Sequence, residues 1–232
     1  MSNEQKIIST RVVIQVVLFV VVIPFLPLLI SQHWHWWEAW VYAIISIIGF
    51  ILSRFLAARR HPGLLAERAH FTQHENTESW DKILGPLVGL GGGLILLIAG
   101  LDALLDWSSI FNLILKIVSL LIIVAGYSLS AYALIENRFF SGVVRLQQDR
   151  GHYVVSSGPY HWIRHPGYAG GLLTYIAVPV FLDAAWAFLP AVFLVITLVI
   201  RTKLEDKTLQ DRLAGYSDYA KQVRYRLLPG VW

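Results

Sequence analysis

Apolar residues run in long unbroken blocks separated by polar joints, and six blocks can be cut from the chain: 12–31, 39–58, 83–101, 110–135, 167–182 and 184–200. A helix crossing the hydrocarbon layer needs about 20 residues. The first four blocks are long enough, and the last two, of 16 and 17 residues, fall short. Only Asp183 separates those two, which predicts a tight helical hairpin. Long blocks also argue against the short alternating strands of a membrane barrel. The expected fold class is therefore all-α: a polytopic integral membrane helix bundle, with four long spanning helices plus a C-terminal helical hairpin. Lys6 and Arg11 precede the first block as basic residues precede a signal peptide, but the block is long and lacks a small-residue cleavage site, so a retained anchor is expected.

Composition narrows the class further. With 232 residues, 56% of them hydrophobic and 15% charged, and a mean hydropathy of +0.58, the chain is too apolar for an ordinary water-soluble domain or a disordered segment. The absence of cysteine excludes disulfides, thiol nucleophiles and thiolate metal sites. The net charge of +4 matters less than its placement. Of the 19 lysines and arginines, all but Lys116 flank the first block, fill the second and fourth connections or crowd the tail. The opposite joints carry Glu38, Asp102, Asp106 and Asp183 and no base, and Trp34, Trp36, Trp37, Trp40, Trp107 and Trp186 gather at the same boundary. Basic loops face the cytosol and tryptophans sit at headgroup level. Both termini are thus expected in the cytosol, in the plasma membrane of a prokaryote or the endoplasmic reticulum of a eukaryote. The chain divides into residues 1–58, a two-helix membrane segment, and residues 59–232, the core.

Some motifs mislead. Gly89, Gly91, Gly92 and Gly93 imitate a nucleotide loop but lie inside an apolar block; Gly85, Gly89 and Gly93, four apart, predict a face for close helix packing. Residues 59–81, with Leu64, Leu65 and Phe71, read as an interfacial connector. His33 and His35 belong to the aromatic belt, and His61, His70 and His74 have no matched carboxylate set, so no metal is expected. Nor does any feature point to nucleic acid as a partner.

Chemistry concentrates in two segments. In residues 151–170, Pro166 forces His165 out of helical geometry and is itself suited to a first helical turn, so a helix should start there with His165 at its cap. The exposed amides of such a start attract an anion. In residues 201–206, Arg201 and Glu205 are four apart and share one helix face, whereas Asp206 is turned about 100° from Glu205. The hairpin should return Arg201 and Glu205 to the level of His165, as a candidate site or as an ordinary surface ion pair.

Asn137-Arg138-Phe139-Phe140, Asp149-Arg150-Gly151-His152, Ser157-Gly158-Pro159-Tyr160, Arg164-His165-Pro166-Gly167-Tyr168, residues 201–206 and Gly215-Tyr216-Ser217-Asp218-Tyr219 together give the chain its likeness. It resembles the isoprenylcysteine carboxyl methyltransferase family and the wider group that includes phospholipid N-methyltransferases. The resemblance spans roughly residues 59–232. It implies an integral membrane methyltransferase using S-adenosylmethionine, with a lipid-like or prenylated acceptor drawn from the bilayer and surrounding membrane lipids as partners. It further implies that His152, Tyr153, Val154, Val155, Tyr160, His165, Pro166, Gly167, Tyr168 and Glu205 hold the cofactor. Arg201 would face the acceptor, with His165 as the other catalytic residue. Tyr160, Trp162 and Tyr168 offer aromatic faces to adenine or sulfonium. Many members carry a second glutamate where Asp206 stands; the helix-face argument predicts that this change matters little. A carboxylate acceptor needs no general base, whereas an amine needs one, with His165 or His161 nearest. A sterol-reductase-like NADPH enzyme and a non-enzymatic membrane protein are the alternatives.

Overall fold

A computed structural model of the protein describes residues 17–69 and 76–232. Lys6, Arg11, the start of the first apolar block at Val12, and His70, Phe71 and His74 lie outside the described residues. The described chain is all-helical. The helices are α1 (Leu26–Ser31), α2 (Trp37–Arg60), α3 (Leu64–Ala69), α4 (Asp81–Leu104), α5 (Leu113–Glu136), α6 (Pro166–Phe181), α7 (Phe188–Arg212) and α8 (Tyr216–Gln222). Four are long and apolar enough to cross a membrane: α2, α4, α5 and the continuous run Ala185–Arg212.

The number of long spans agrees with the sequence pattern, but their identity does not. The first block is broken where it is described, passing from a π turn over Leu18–Val22 through a 3-10 turn over Ile23–Phe25 into the six-residue α1. Pro24 and Pro27 each lack an N–H and crowd the preceding turn, which interrupts a regular helical ladder. The fourth long span is instead the second limb of the hairpin. α7 runs 25 residues, about 37 Å at 1.5 Å per residue, because its polar extension past Ile200 stays helical to Arg212. α6, at 16 residues, is about 24 Å long and remains short of the roughly 30 Å hydrocarbon layer.

Leu28, Ile95, Ile123, Phe181 and Leu194 belong to one buried cluster, so residues from both sides of position 58 share a core. The glycines do not pack as their spacing suggests. A Cβ on Gly89 would meet nothing within 4 Å, and one on Gly93 would reach only Ile23, at 3.8 Å. Close approach occurs at Gly91 against Leu194 and, most tightly, where α5 crosses α6: a Cβ on Gly170 would lie 2.3 Å from the Gly126 carbonyl oxygen. Four-residue spacing gives a face but not the neighbour that covers it.

The acidic joints are built into the end of the bundle away from the basic loops. Asp183, in a left-handed turn with φ 54°, accepts from the Ile110 and Phe111 amides at 2.9 Å each. Lys116 reaches Asp183 at 3.0 Å and Glu38 at 2.8 Å. Buried Asp102 accepts from Ser108 Oγ and from the Trp186 amide. Trp34, Trp37, Trp40, Trp107 and Trp186 stay exposed around this end, as a headgroup belt requires.

Candidate functional site

At the opposite end, the segment between α5 and α6, the start of α6 and the polar extension of α7 converge on an open cleft. His165 is the N-cap residue of α6 and Pro166 occupies its first turn, as the sequence predicts. The cleft is lined by His152, Val154, Val155, Tyr160, His165, Gly167, Tyr168 and Glu205, together with Phe139, Leu213 and Tyr219. Of the residues expected at the site, Tyr153, Pro166 and Arg201 are not on this lining. Tyr153 is half-exposed with its ring edge-on to Phe139, and Pro166 is buried in the helix start. Trp162 is 64% exposed and also off the lining, so it offers no face to the cleft.

Glu205 is the one carboxylate among the described residues lining the cleft. Tyr168 Oη donates to its Oε2 at 2.5 Å, and the Tyr168 ring is parallel to that of His165, with centroids 5.8 Å apart. Beneath Tyr168, the Arg201 guanidinium stands 5.3 Å from the ring. Arg201 does not pair with Glu205. Its Nε and Nη2 donate to the two oxygens of fully buried Asp81 at 2.7 and 3.0 Å, and Asp81 also accepts from the Val144 amide at 2.6 Å. This bidentate pair, well suited to a planar guanidinium, ties the start of α4 to α7 and to the loop after α5. Sequence reading missed Asp81, the last residue of the 59–81 connector, whose only signal is that it stands just ahead of an apolar block.

Asp206 contradicts the helix-face argument. The face turned away from Glu205 is covered by the tail, and Asp206 is wholly buried there. Arg164 Nε and Nη2 donate to it at 2.7 and 3.0 Å, Arg226 Nε at 2.8 Å, Gln210 Nε2 at 2.7 Å and Tyr216 Oη at 3.1 Å; His165 Nε2 lies 3.3 Å away. Arg164 also donates to the Val223 and Arg224 carbonyls. Asp206 is thus the hub that fixes the His165 ring and docks α8 with the tail. Tyr219 Oη donates to the Tyr160 carbonyl at 2.6 Å, and Asn137 Nδ2 donates to Tyr160 Oη at 3.2 Å. Burial pushes the Tyr160, Tyr216 and Tyr219 phenols well above their ordinary range, which keeps them as neutral donors.

His152 lies against Phe139, with ring centroids 4.5 Å apart, and its Nδ1 accepts from the Gln147 amide at 3.3 Å. Burial first, then the charges of Arg145 and Arg150, holds its pKa down to about 4. Folding therefore favours the neutral ring. Its contribution to stability is complete above the unfolded value of about 6.5 and is lost as pH falls from there toward 4. Thermal melts of detergent-solubilised protein should show a midpoint that declines between pH 6.5 and pH 4, and His152→Gln should flatten that decline. Parallel profiles for the two proteins would refute the assignment.

The bundle, with four helices long and apolar enough to cross a membrane, thus carries at one end a polar cleft with one carboxylate among its described lining residues and a histidine-capped helix start. Residues 117–211 match the family model of the isoprenylcysteine carboxyl methyltransferase (ICMT) family. The family is one of methyltransferases. The matched region holds α6, most of α5 and of α7, and every residue of the predicted site. The chain is also 36% identical over 62 residues to the protein named "Uncharacterized protein YpbQ" of Bacillus subtilis (strain 168). That similarity covers 26% of this chain, and the chain spans 37% of the relative's length.

Proposed function

We propose that this protein transfers a methyl group from S-adenosylmethionine to a lipid-like acceptor held in the bilayer, with the cleft facing the cytosol. The single observation that carries the reading is the pairing of cavities. Gly167 and Phe140 line both the polar cleft and a second cavity of about 400 Å³ among the membrane helices. A soluble donor and a membrane-borne acceptor could thus meet across one thin wall.

The residues present fit the cofactor. Glu205 would hold the ammonium, with its carboxylate fixed by Tyr168. Phe139, Val154, Leu213 and the predicted lining residues His152, Val155, Tyr160 and Gly167 would enclose the flat adenine and ribose. When bound, the cofactor would supply an already activated methyl group, so the chain's task is alignment and exclusion of water. His165 is oriented by Asp206 at Nε2. Arg201, held by Asp81, supports Tyr168 from below and is a positioning residue in this reading.

Calorimetry on the purified protein in nanodiscs tests the proposal. S-adenosylmethionine should bind with micromolar affinity and NADPH should not. NADPH binding without S-adenosylmethionine binding would replace this reading with a reductase.

A further inference from the structure

Val231 is 77% exposed, the highest value for a large hydrophobic residue among the described residues, and it lies in a turn outside every spanning helix. The turn is closed by its own backbone: the Trp232 backbone oxygen accepts from the Arg226 and Leu227 amides at 3.0 Å each and from the Leu228 amide at 3.2 Å. Leu227 is buried in a cluster with Ile163, Leu172 and Leu198, against which Val195, Val199 and Trp232 also pack. That seats the turn against α7 close to where the helix's apolar run ends, with Leu228 and Val231 left exposed.

One face of α7 runs from lipid to the level of this turn. Leu189, Val192, Ile196 and Ile200 are exposed and recur at steps of three or four residues, as positions on one helix face do. The same steps continue to Lys203 and Lys207, which are also exposed. At 1.5 Å per residue, Lys203 stands about 4.5 Å past Ile200 and Lys207 about 10 Å past it. The polar layer of a leaflet is about 5–7 Å deep, and the apolar stem of a lysine lets its ammonium reach across several ångströms. The neighbouring acids on α7 are engaged on other faces: Glu205 accepts from Tyr168, and Asp206 from Arg164 and Arg226.

We propose that Lys203 and Lys207, with Leu228 and Val231 of the turn, form a docking surface for the leaflet at the cleft end of the bundle. The lysines take the phosphates of anionic phospholipids, and the two apolar side chains enter the headgroup layer. Two features select this partner. The surface continues a helix face that already meets lipid, and cations beside exposed apolar side chains complement an anionic interface. The contact also reaches the cleft. Arg226 donates from Nε to Asp206 at 2.8 Å, its carbonyl accepts from the His165 amide at 2.9 Å, and the Tyr225 carbonyl accepts from the Arg164 amide at 2.9 Å. A turn held on the leaflet therefore holds the start of α6.

The chain has no cysteine, so Val231→Cys and Asp218→Cys each create a single attachment point for a nitroxide label. Asp218, exposed on α8, serves as the aqueous reference. In nanodiscs of phosphatidylcholine with about one third phosphatidylglycerol, the label at 231 should favour collisions with oxygen over a neutral nickel chelate at least five-fold more than the label at 218. That preference should fall at least two-fold in phosphatidylcholine alone, and equally when Lys203→Gln and Lys207→Gln are added. Equal preferences at 231 and 218 would overturn the docking surface, and a preference at 231 indifferent to both the anionic lipid and the lysines would overturn its anionic partner. Val231→Asp in the same nanodiscs should speed hydrogen exchange at least ten-fold at the Arg226 and Leu227 amides and at those of Arg164 and His165, with α4 unchanged. Exchange that stays slow throughout, or quickens only within the turn, would overturn the link to α6.

Discussion

Asp206→Asn should lower the melting midpoint by roughly 10 °C and abolish activity, although Asp206 touches neither half of the proposed reaction. The carboxylate is wholly buried and collects donors from Arg164, Arg226, Gln210 and Tyr216. Removing the charge leaves Arg164 buried without its anion, a loss of about 3–5 kcal/mol for a broken buried pair. At about 2–4 °C per kcal/mol for a chain of this size, that is a shift a thermal scan resolves easily. The damage should be directional. Arg164 and Arg226 anchor the tail, so limited proteolysis ought to cut after α7 first. Asp206→Glu keeps the charge and adds one methylene to a filled pocket, which costs about 1–3 kcal/mol. The expected order of midpoints is therefore wild type, Asp206→Glu, Asp206→Asn. A midpoint for Asp206→Asn within 2 °C of wild type would show that the network is not the structural hub described above.

The same residue shows where the sequence was legible and where it was not. Pro166 dictates a helix start through its own ring geometry, so the His165 cap could be read from two letters. The four-residue step from Arg201 to Glu205 likewise survives into the structure, since α7 stays helical through both. Local stereochemistry decides such features. Partners are decided by which distant element covers a face: Asp206 looked idle because its face points away from Glu205, yet α8 and the tail close over that face. Arg201 was matched to the acid four residues away, whereas its partner Asp81 lies 120 residues back. The first apolar block looked like the most regular span by length, and Pro24 and Pro27 broke it where it is described. Charge segregation identified the two ends of the bundle because it reflects solvent rather than pairing, but it did not show that Asp102 and Asp183 bind the outer joints together.

Glu205→Gln should separate binding from folding as sharply as Asp206→Asn merges them. Glu205 is half-buried at the cleft, and its Oε2 accepts from Tyr168 Oη. Glutamine keeps the shape and one acceptor oxygen, so the melting midpoint should move by less than about 2 °C. What disappears is the only negative charge lining the cleft among the described residues. Truncating one partner of a desolvated, hydrogen-bonded charge pair costs about 2–5 kcal/mol, which is thirty-fold or more in affinity at 1.4 kcal/mol per factor of ten. S-adenosylmethionine and S-adenosylhomocysteine both carry the ammonium and should weaken to the same degree. 5′-Methylthioadenosine has the adenine and ribose but no amino-acid portion, and should bind wild type and variant alike. That pattern can arise only if the carboxylate reads the amino-acid end of the ligand. If the variant weakens all three ligands equally, Glu205 acts through Tyr168 and the shape of the cleft; if it weakens none, the ammonium is held elsewhere. Either result would remove Glu205 from the binding set while leaving the fold, the buried Asp206 hub and the Arg201–Asp81 pair as described.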